Sequence, residues 1–317
     1  MNILIVGNGF DLSHYLPTKY DHFMDVMGVI DDINIEMNNL CDFKNEDEFK
    51  FELSKIPALR QKYEDPSHKY AIGFDELFEN TRDSKFIEET KRFYLIDNVQ
   101  YPFLNVLAIK FKLAKNSWYK YFKRHVKDIT TWIDFEQKIE EVLATSADCI
   151  LEIEQVKRPN ELFQYFRHEQ EDGHRINERN FKILSIFNFV SLELYKHQQP
   201  LAEGMSVTNK MSERSNLNPK FCHGENLENG FNPSSFLSHL QSQLEDFIEI
   251  FNLYLELVVS PLVPGSTFSI DCEDWNYPDK IFSFNYTNTY QRIHNVIDVE
   301  YLHGSHGKKT KYCFRRI

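Results

Sequence analysis

The chain of 317 residues contains only five cysteines, and they stand far apart. Neighbouring cysteines are separated by 108, 73, 50 and 41 positions, which gives neither a CxxC zinc pair nor the dense framework of a small secreted domain. The sequence therefore predicts ordinary thiols and no metal site. The cysteines are Cys41, Cys149, Cys222, Cys272 and Cys313.

Positive charge and long apolar runs are also scarce. The 36 Lys and Arg residues face 48 Asp and Glu residues, a net charge of −12, so extended nucleic-acid binding is disfavoured. The longest apolar stretch, near 255–263, is interrupted by Ser260 and Pro261, which predicts no membrane span. The first residues lack a basic region and a cleavage site, so we expect a cytoplasmic protein.

The chain opens with a short apolar run, residues 2–6, that ends in Gly7-Asn8-Gly9. This pattern predicts a strand buried on both faces, followed by a tight turn. Thr18 is placed to cap a helix, because Asp21 stands three residues later in the capping-box position.

Apolar residues three and four positions apart predict helices through the middle of the chain, most clearly over 236–258. Ser234 or Ser235 is the predicted cap of that helix. Residues 204–233 are rich in Asn, Ser, Gly and Pro, which predicts a loop or hinge. The other predicted helical stretches are 86–127, 132–156 and 176–198.

Strand patterns return near the end of the chain. Residues 280–284 predict a strand that ends at Asn285, and 299–303 predict another that ends at His303 and Gly304. Thr287 or Asn288 is placed to cap a short helix, 289–297, between them. We therefore expect an α/β fold with a Rossmann-like parallel sheet built from both chain ends and a large, mostly helical insertion. The predicted limits are 1–75 and 261–317 for the nucleotide-binding core and 76–260 for the insertion.

Three strand ends supply the candidate site, because ligands of open parallel sheets bind at the carboxyl ends of the strands. Gly7 and Gly9 have two interpretations: they form a turn that needs positive φ, or they allow the loop to approach a phosphate closely. Asp11 is either a helix cap or a ligand of a ribose, since a carboxylate there would repel a pyrophosphate. His303 is either a structural histidine or a catalytic base.

The motifs together resemble those of the AbiH family of bacterial abortive infection proteins. The first is Gly7-Asn8-Gly9-Phe10-Asp11-Leu12, followed by Leu16-Pro17-Thr18-x-Tyr20-x-x-Phe23. The later ones, in the same order as in the family, are Trp132-Ile-Asp-Phe-Glu136, Phe284-Asn285-Tyr286-Thr287-Asn288-Thr289 and Tyr301-Leu-His303-Gly304. The resemblance spans almost the whole chain. It implies protection of a bacterial population by arrest or death of the infected cell.

The same motifs are more distantly similar to sirtuin-like NAD-binding domains. That resemblance implies that Gly7 and Gly9 approach the phosphates, that Asn285 contacts ribose or positions the attacking water, and that His303 is the base. The resemblance also implies that Asn8, Phe10, Asp11, Thr18, Tyr286 and Gly304 contribute to the NAD pocket. NAD is then a substrate or ligand, and no tightly bound cofactor is expected.

Some features depart from the sirtuin-like pattern. Thr287 stands where many of those domains have Asp, and the absence of their CxxC zinc module argues against protein deacylation. The chain continues for 14 residues after His303, where related domains have another strand, so we expect a shortened C-terminus that weakens the pocket.

Two functions stay open at this stage: an NAD glycohydrolase that arrests the infected cell, and a non-catalytic sensor of a nucleotide or phage ligand. The helical insertion is predicted to be an oligomer interface, a lid or a partner surface.

Overall fold

A computed structural model gives the fold of the chain. It describes residues 2–34, 45, 47–49, 51, 55, 71–129, 132–154, 178–199, 208–265, 278–285, 287–294 and 297–302. For residues 98, 132, 178, 191–199 and 208–216 only the backbone is described. The chain divides into two compact units. Unit 1 comprises 1–116, 125–132 and 246–317, and unit 2 comprises 117–124 and 133–245. The domain limits at 75/76 and 260/261 stay a prediction.

Unit 1 contains a three-stranded parallel sheet with the order β1-β6-β7. The strands are β1 Ile3–Val6, β6 Lys280–Ser283 and β7 Val299–Tyr301. Ile3 pairs with Lys280, and Ile281 pairs with Val299. The prediction of an α/β fold whose parallel sheet uses both chain ends is thereby confirmed, while its Rossmann-like character stays a prediction.

Only one face of β1 is buried, so the prediction of a strand covered on both faces is wrong. Leu4 and Val6 pack with Ile281 and Tyr290. On the other face, Ile3 is 51% and Ile5 is 65% exposed. A continuous apolar run shows that a strand could be buried on both faces. It does not show whether other elements cover the second face.

Five α-helices of unit 1 follow β1 in the described sequence up to residue 115. The predicted cap at Thr18 is wrong: the helix begins at Tyr20, and Lys19 is its N-cap without a side-chain hydrogen bond. The helices are α1 Asn8–Ser13, α2 Tyr20–Asp32, α3 Phe74–Leu77, α4 Ser84–Phe93 and α5 Phe103–Lys115. Short strands β2 Ile72–Gly73 and β3 Gln100–Tyr101 pair antiparallel.

Aromatic side chains hold α2 in place. Phe23 meets the rings of Phe247, Phe251 and Tyr254 edge-on, with centroid separations of 5.7, 5.1 and 5.4 Å. The buried hydroxyl of Tyr254 donates a hydrogen bond of 2.5 Å to the carbonyl oxygen of Pro17. This contact fixes the segment before α2, which is part of the motif quoted above.

Unit 2 contains helices and a long antiparallel hairpin. The helices are α6 Ser117–Arg124, α7 Trp132–Glu154 with its first residue in unit 1, and α8 Glu178–Ile186. The hairpin joins β4 Val190–Gln199 to β5 Thr208–Leu217. The helix predicted over 176–198 is confirmed as far as Ile186, and its second part is wrong because 190–199 form β4. The loop predicted over 204–233 is wrong where β5 lies, and short 3₁₀ turns follow between 219 and 229. Apolar residues alternate at 190, 192 and 194, which is a strand pattern.

The core of unit 2 is largely aromatic. The indole nitrogen of Trp118 donates to the carbonyl oxygen of Leu240 at 2.9 Å, and its ring lies 4.7 Å from that of Phe187. Phe135 packs on Phe122 at 4.4 Å, so the apolar anchor of the Trp-Ile-Asp-Phe-Glu motif in the described part is Phe135.

The long helix predicted at 236–258 is confirmed as α9 Pro233–Tyr254, followed by one π-helical turn, Leu255–Val259. Its predicted serine cap is wrong. Pro233 occupies the first position, where its missing N–H costs nothing, and the side chain of Asn232 accepts a hydrogen bond from the amide of Ser235. In the described part of the chain, no helix has the length and apolarity needed to cross a membrane.

A fully buried histidine lies between α2 and α4. The ring of His22 lies 4.7 Å from that of Phe86, and its Nε2 atom is 3.6 Å from Asp83. Burial and the neighbouring charge of Lys19 lower the pKa of His22 to about 4, against a smaller opposing effect of Asp83. Folded protein therefore binds this proton only near pH 4, whereas unfolded protein binds it near pH 6.5.

We expect acid to destabilise the protein through His22. Stability falls as the pH drops from 6.5 towards 4, by about 3 kcal/mol for a pKa shift of this size. His22→Phe keeps a ring against Phe86 and removes the titration, so urea unfolding at pH 7 and pH 4.5 should show a smaller acid effect. Equal acid effects in the two proteins would contradict this assignment.

Candidate functional site

The candidate site lies in unit 1, where β1 and β6 end side by side. The backbone amide of Phe284 donates to the carbonyl oxygen of Val6 at 2.9 Å, and that of Leu302 donates to Ser283 at 2.9 Å. The segments that leave the three strands therefore start at one edge of the sheet, as the sequence predicts for parallel strands. Tyr286, His303 and Gly304 lie outside the described residues.

The glycines of the first loop are not explained by backbone conformation or by packing. Gly7 has φ −133° and ψ −174°, and Gly9 lies within α1 without positive φ. A Cβ atom added at either glycine meets no described atom within 4 Å. The turn that needs positive φ is thus wrong, and no described residue fills the space beside either glycine.

Side chains tie this loop to its neighbours. The amide nitrogen of Asn285, a buried residue, donates to the carbonyl oxygen of Gly7 at 2.9 Å. The hydroxyl of Thr18 donates to the side-chain oxygen of Asn8 at 2.7 Å. Phe10 stacks on Tyr290 at 6.1 Å. The structure therefore brings the loop Gly7-Asn8-Gly9 together with Thr18 and with Asn285 of the motif at 284–289.

Asp11 is buried rather than placed at the helix start as a cap. Gly7 is the N-cap of α1, and the carboxylate of Asp11 accepts a hydrogen bond of 2.5 Å from the hydroxyl of Thr287. Thr287 in turn accepts one of 3.0 Å from Thr289. The other oxygen of Asp11, Oδ1, has no hydrogen-bond partner among the described groups.

Burial is the largest influence on the pKa of Asp11. Burial raises the pKa of Asp11, and the hydroxyls of Thr287 and Thr289, the amide of Asn285 and the charge of Arg292 oppose that rise. The guanidinium of Arg292 donates to the carbonyl oxygen of Leu262, while its Nη1 atom is buried without a hydrogen-bond partner in the described part. A buried carboxylate and a partly buried guanidinium thus lie within electrostatic reach of each other, and each has one atom without a hydrogen-bond partner among the described groups.

A pair of histidines connects α1 with α10, Thr289–Ile293. His14 follows α1 and His294 follows α10. The Nε2 atoms of His14 and His294 are 2.6 Å apart. Because His14 donates from Nδ1 to the carbonyl oxygen of Phe10, its neutral ring accepts at Nε2 and His294 donates. Burial and His14 lower the pKa of His294 to about 4, which keeps the pair neutral at pH 7. No group of three or more metal-binding side chains occurs in the described ranges.

Ser283, Thr287, Thr289 and Tyr301 contribute hydroxyls to the wall of a small cleft, alongside Asn285 and Phe10. The enclosed volume of the cleft is about 10 Å³, which is room for about one water molecule. Sites for drug-sized ligands hold roughly 300–1,000 Å³, so the described cleft alone does not enclose a nucleotide. Sequence reasoning assigned no site role to Thr289, Arg292 or the histidine pair. His14 and His294 stand 280 positions apart and Arg292 and Leu262 stand 30 apart, so no local pattern marks these contacts.

A family model described as bacteriophage abortive infection AbiH matches residues 3–314. The chain belongs to the AbiH family. Membership implies a function in bacteriophage abortive infection. No curated protein and no solved structure matches this AbiH-family protein.

Neutralising Asp11 should stabilise the protein. With its pKa raised in the folded state, the ionised carboxylate costs stability once the pH exceeds the ordinary Asp range, and this cost grows as the pH rises through the raised pKa. Asp11→Asn should therefore melt at a higher temperature than wild type at pH 7, with the difference shrinking at acid pH. A variant less stable than wild type at pH 7 would refute this account.

Proposed function

We propose that this AbiH-family protein acts in abortive infection by binding a nucleotide at the ends of β1, β6 and β7. NAD or a related dinucleotide is the proposed ligand, and hydrolysis of its nicotinamide bond is the proposed reaction. The observation that carries the proposal is the loop Gly7-Asn8-Gly9. Neither glycine has positive φ, and a Cβ atom added at either one would meet no atom of the described residues, so close approach of a ligand is the reason that we propose for them.

The proposed chemistry makes modest demands on the protein. Cleaving the nicotinamide–ribose bond passes through an oxocarbenium-like state, so positioning of the sugar and of a water molecule matters more than a strong nucleophile. Asn285 lies beside the loop and is proposed to orient the ribose or the water. His303 stands two positions after the end of β7 in the sequence. It is proposed as the base, since histidine titrates near neutral pH.

A second function, nucleotide sensing without turnover, is favoured by one observation. The amide of Asn285 already donates to Gly7, so this side chain joins two loops of the protein as it stands. An amide held in this way can couple an occupied loop to the strands without taking part in chemistry. The two functions differ in whether product forms.

Alanine at Gly7 or Gly9 should weaken nucleotide binding while leaving the fold intact. The added methyl group enters open space and meets no described atom, but it fills the volume that a phosphate would occupy. Gly28→Ala in α2 is the matched control, because its added Cβ also meets nothing within 4 Å and lies on another element. Calorimetric titration with NAD should show about tenfold or greater weakening for the loop variants.

The control variant should bind like wild type. Loop variants that bind NAD as tightly as wild type, while remaining folded, would remove the basis of the proposal.

Turnover is tested by incubating the full chain with NAD and measuring free nicotinamide and ADP-ribose. We expect product from wild type and none from Asn285→Ala/His303→Ala. Binding without product in wild type would support the sensor instead. Because Asn285→Ala also removes the bond to Gly7, the single variant His303→Ala is measured in parallel, with melting curves for each protein.

A further inference from the structure

The outer face of α7, in unit 2, carries a row of exposed apolar side chains. Leu143 is 46% and Leu151 is 59% exposed, and the exposed Ala147 stands between them at a spacing of four residues. Side chains four residues apart lie above one another on the same face of a helix. A single exposed leucine is ordinary, but a row with a polar rim is typical of an interaction surface.

Both ends of this row are acidic. Glu140 stands three residues before Leu143, and Glu154 stands three residues after Leu151, so each continues the row by about one turn. Among the described side chains of α7, the exposed charged ones are Glu136, Glu140, Asp148 and Glu154.

The nearby cations do not neutralise these carboxylates. Lys138 is the one basic residue in the sequence of α7, and its Nζ atom pairs with Glu141 at 2.9 Å. Arg179 of α8 pairs with Glu141 as well. The outer face is therefore apolar along its centre and negative at both ends.

The acidic residues are unfavourable for α7 itself. Glu136 and Glu140 stand four positions apart, where like charges destabilise a helix. Glu154 is the last residue of α7, where the helix dipole favours a cation, and the last turn contains no basic residue. Local choices that oppose the stability of their own element are expected where a surface serves recognition.

The charges decide between the possible occupants of this face. A second copy would bring its own carboxylates against these ones in either orientation, because acidic residues stand at both ends of the row. An anionic membrane or a nucleic acid would be repelled in the same way. An apolar helix with basic residues near both ends complements the face in hydrophobicity and in charge.

We infer that the outer face of α7 binds an amphipathic helix of a partner protein, with an apolar centre and Lys or Arg near both of its ends. Two helices that pack side by side bury apolar rows along their contact and pair opposite charges at its margins. The face from Glu136 to Glu154 is about 27 Å long, so a helix of about 18 residues matches it. This inference is independent of the nucleotide function.

Two synthetic peptides test the inference with the full chain. The first is a fluorescent, helix-forming peptide of about 18 residues, with leucines along one face and lysines near both ends. The second has glutamates in place of the lysines. In anisotropy titrations at about 0.15 M ionic strength, which screens long-range attraction, we expect the basic peptide to bind and the acidic peptide not to bind.

Two double variants of α7 separate the apolar centre from the charged ends. Leu143→Ser/Leu151→Ser removes the apolar anchors and should weaken binding of the basic peptide by about tenfold or more. Glu140→Lys/Glu154→Lys turns attraction into repulsion at both ends and should weaken it by a similar factor.

Matched controls change the same properties elsewhere. Leu237→Ser alters a leucine of α9 that is 45% exposed, and Glu76→Lys/Glu79→Lys makes the same change of charge on exposed residues of unit 1. Both control variants should bind the basic peptide like wild type. Melting curves for all variants separate loss of binding from loss of folding.

Each other outcome overturns the inference. Equal weakening in Glu76→Lys/Glu79→Lys would mean that the peptide responds to net charge alone. Wild type that does not bind the basic peptide, or that binds the acidic peptide as tightly, would remove the inferred chemistry of the partner. A wild-type dimer in sedimentation equilibrium that Leu143→Ser/Leu151→Ser dissociates would make a second copy the occupant.

Discussion

The parallel pairing of β1 with β6 is the contact on which the candidate site depends. Ile3 pairs with Lys280 and Val6 with Ser283, so residues 277 positions apart in the sequence lie side by side. The loop that leaves β1 then stands beside Asn285, and α1 beside Thr287. Since each strand residue advances the chain by about 3.3 Å and side chains alternate between the two faces, a register shift of one residue would separate Asp11 from Thr287 and turn the buried face of β1 outwards.

Burial of the Asp11 carboxylate costs stability at the edge of the sheet where the candidate site lies. The hydrogen bonds from Thr287 and the charge of Arg292 offset the loss of hydration only in part, because the pKa of Asp11 remains raised. A neutral side chain would serve stability better. A charged group retained against stability is typical of sites where the protein needs the charge for recognition or chemistry.

Local signals in the sequence predicted the strands that build the sheet and the long helix α9. Apolar runs bounded by glycine or asparagine mark β1 and β6, and apolar spacing of three and four marks α9. The hairpin β4–β5 was missed because its short apolar alternation follows a helix with little punctuation between them. Caps were misassigned because the choice between Thr18 and Lys19, or between Ser234 and Asn232, depends on partners that spacing does not reveal.

The sequence predicts that strand ends meet at the candidate site, but it does not predict which side chains form hydrogen bonds there. Gly7, Asn8 and Asn285 were assigned from their positions after strands, and the structure brings them together. The bond from Thr287 to Asp11 joins residues 276 positions apart, so no local pattern announces it. The sequence marked Thr287 as a candidate helix cap and as a departure from the sirtuin-like pattern, whereas the structure makes it the partner of Asp11.

The two parts of a site divided between β1 and β6 are synthesised at different times. During synthesis Asp11 leaves the ribosome long before Thr287, and at about 5–20 residues per second the delay is on the order of tens of seconds. Until then the loop has no Asn285 to hold it and β1 has no neighbour in its sheet. An unfinished chain therefore cannot bring together the residues at the ends of β1 and β6.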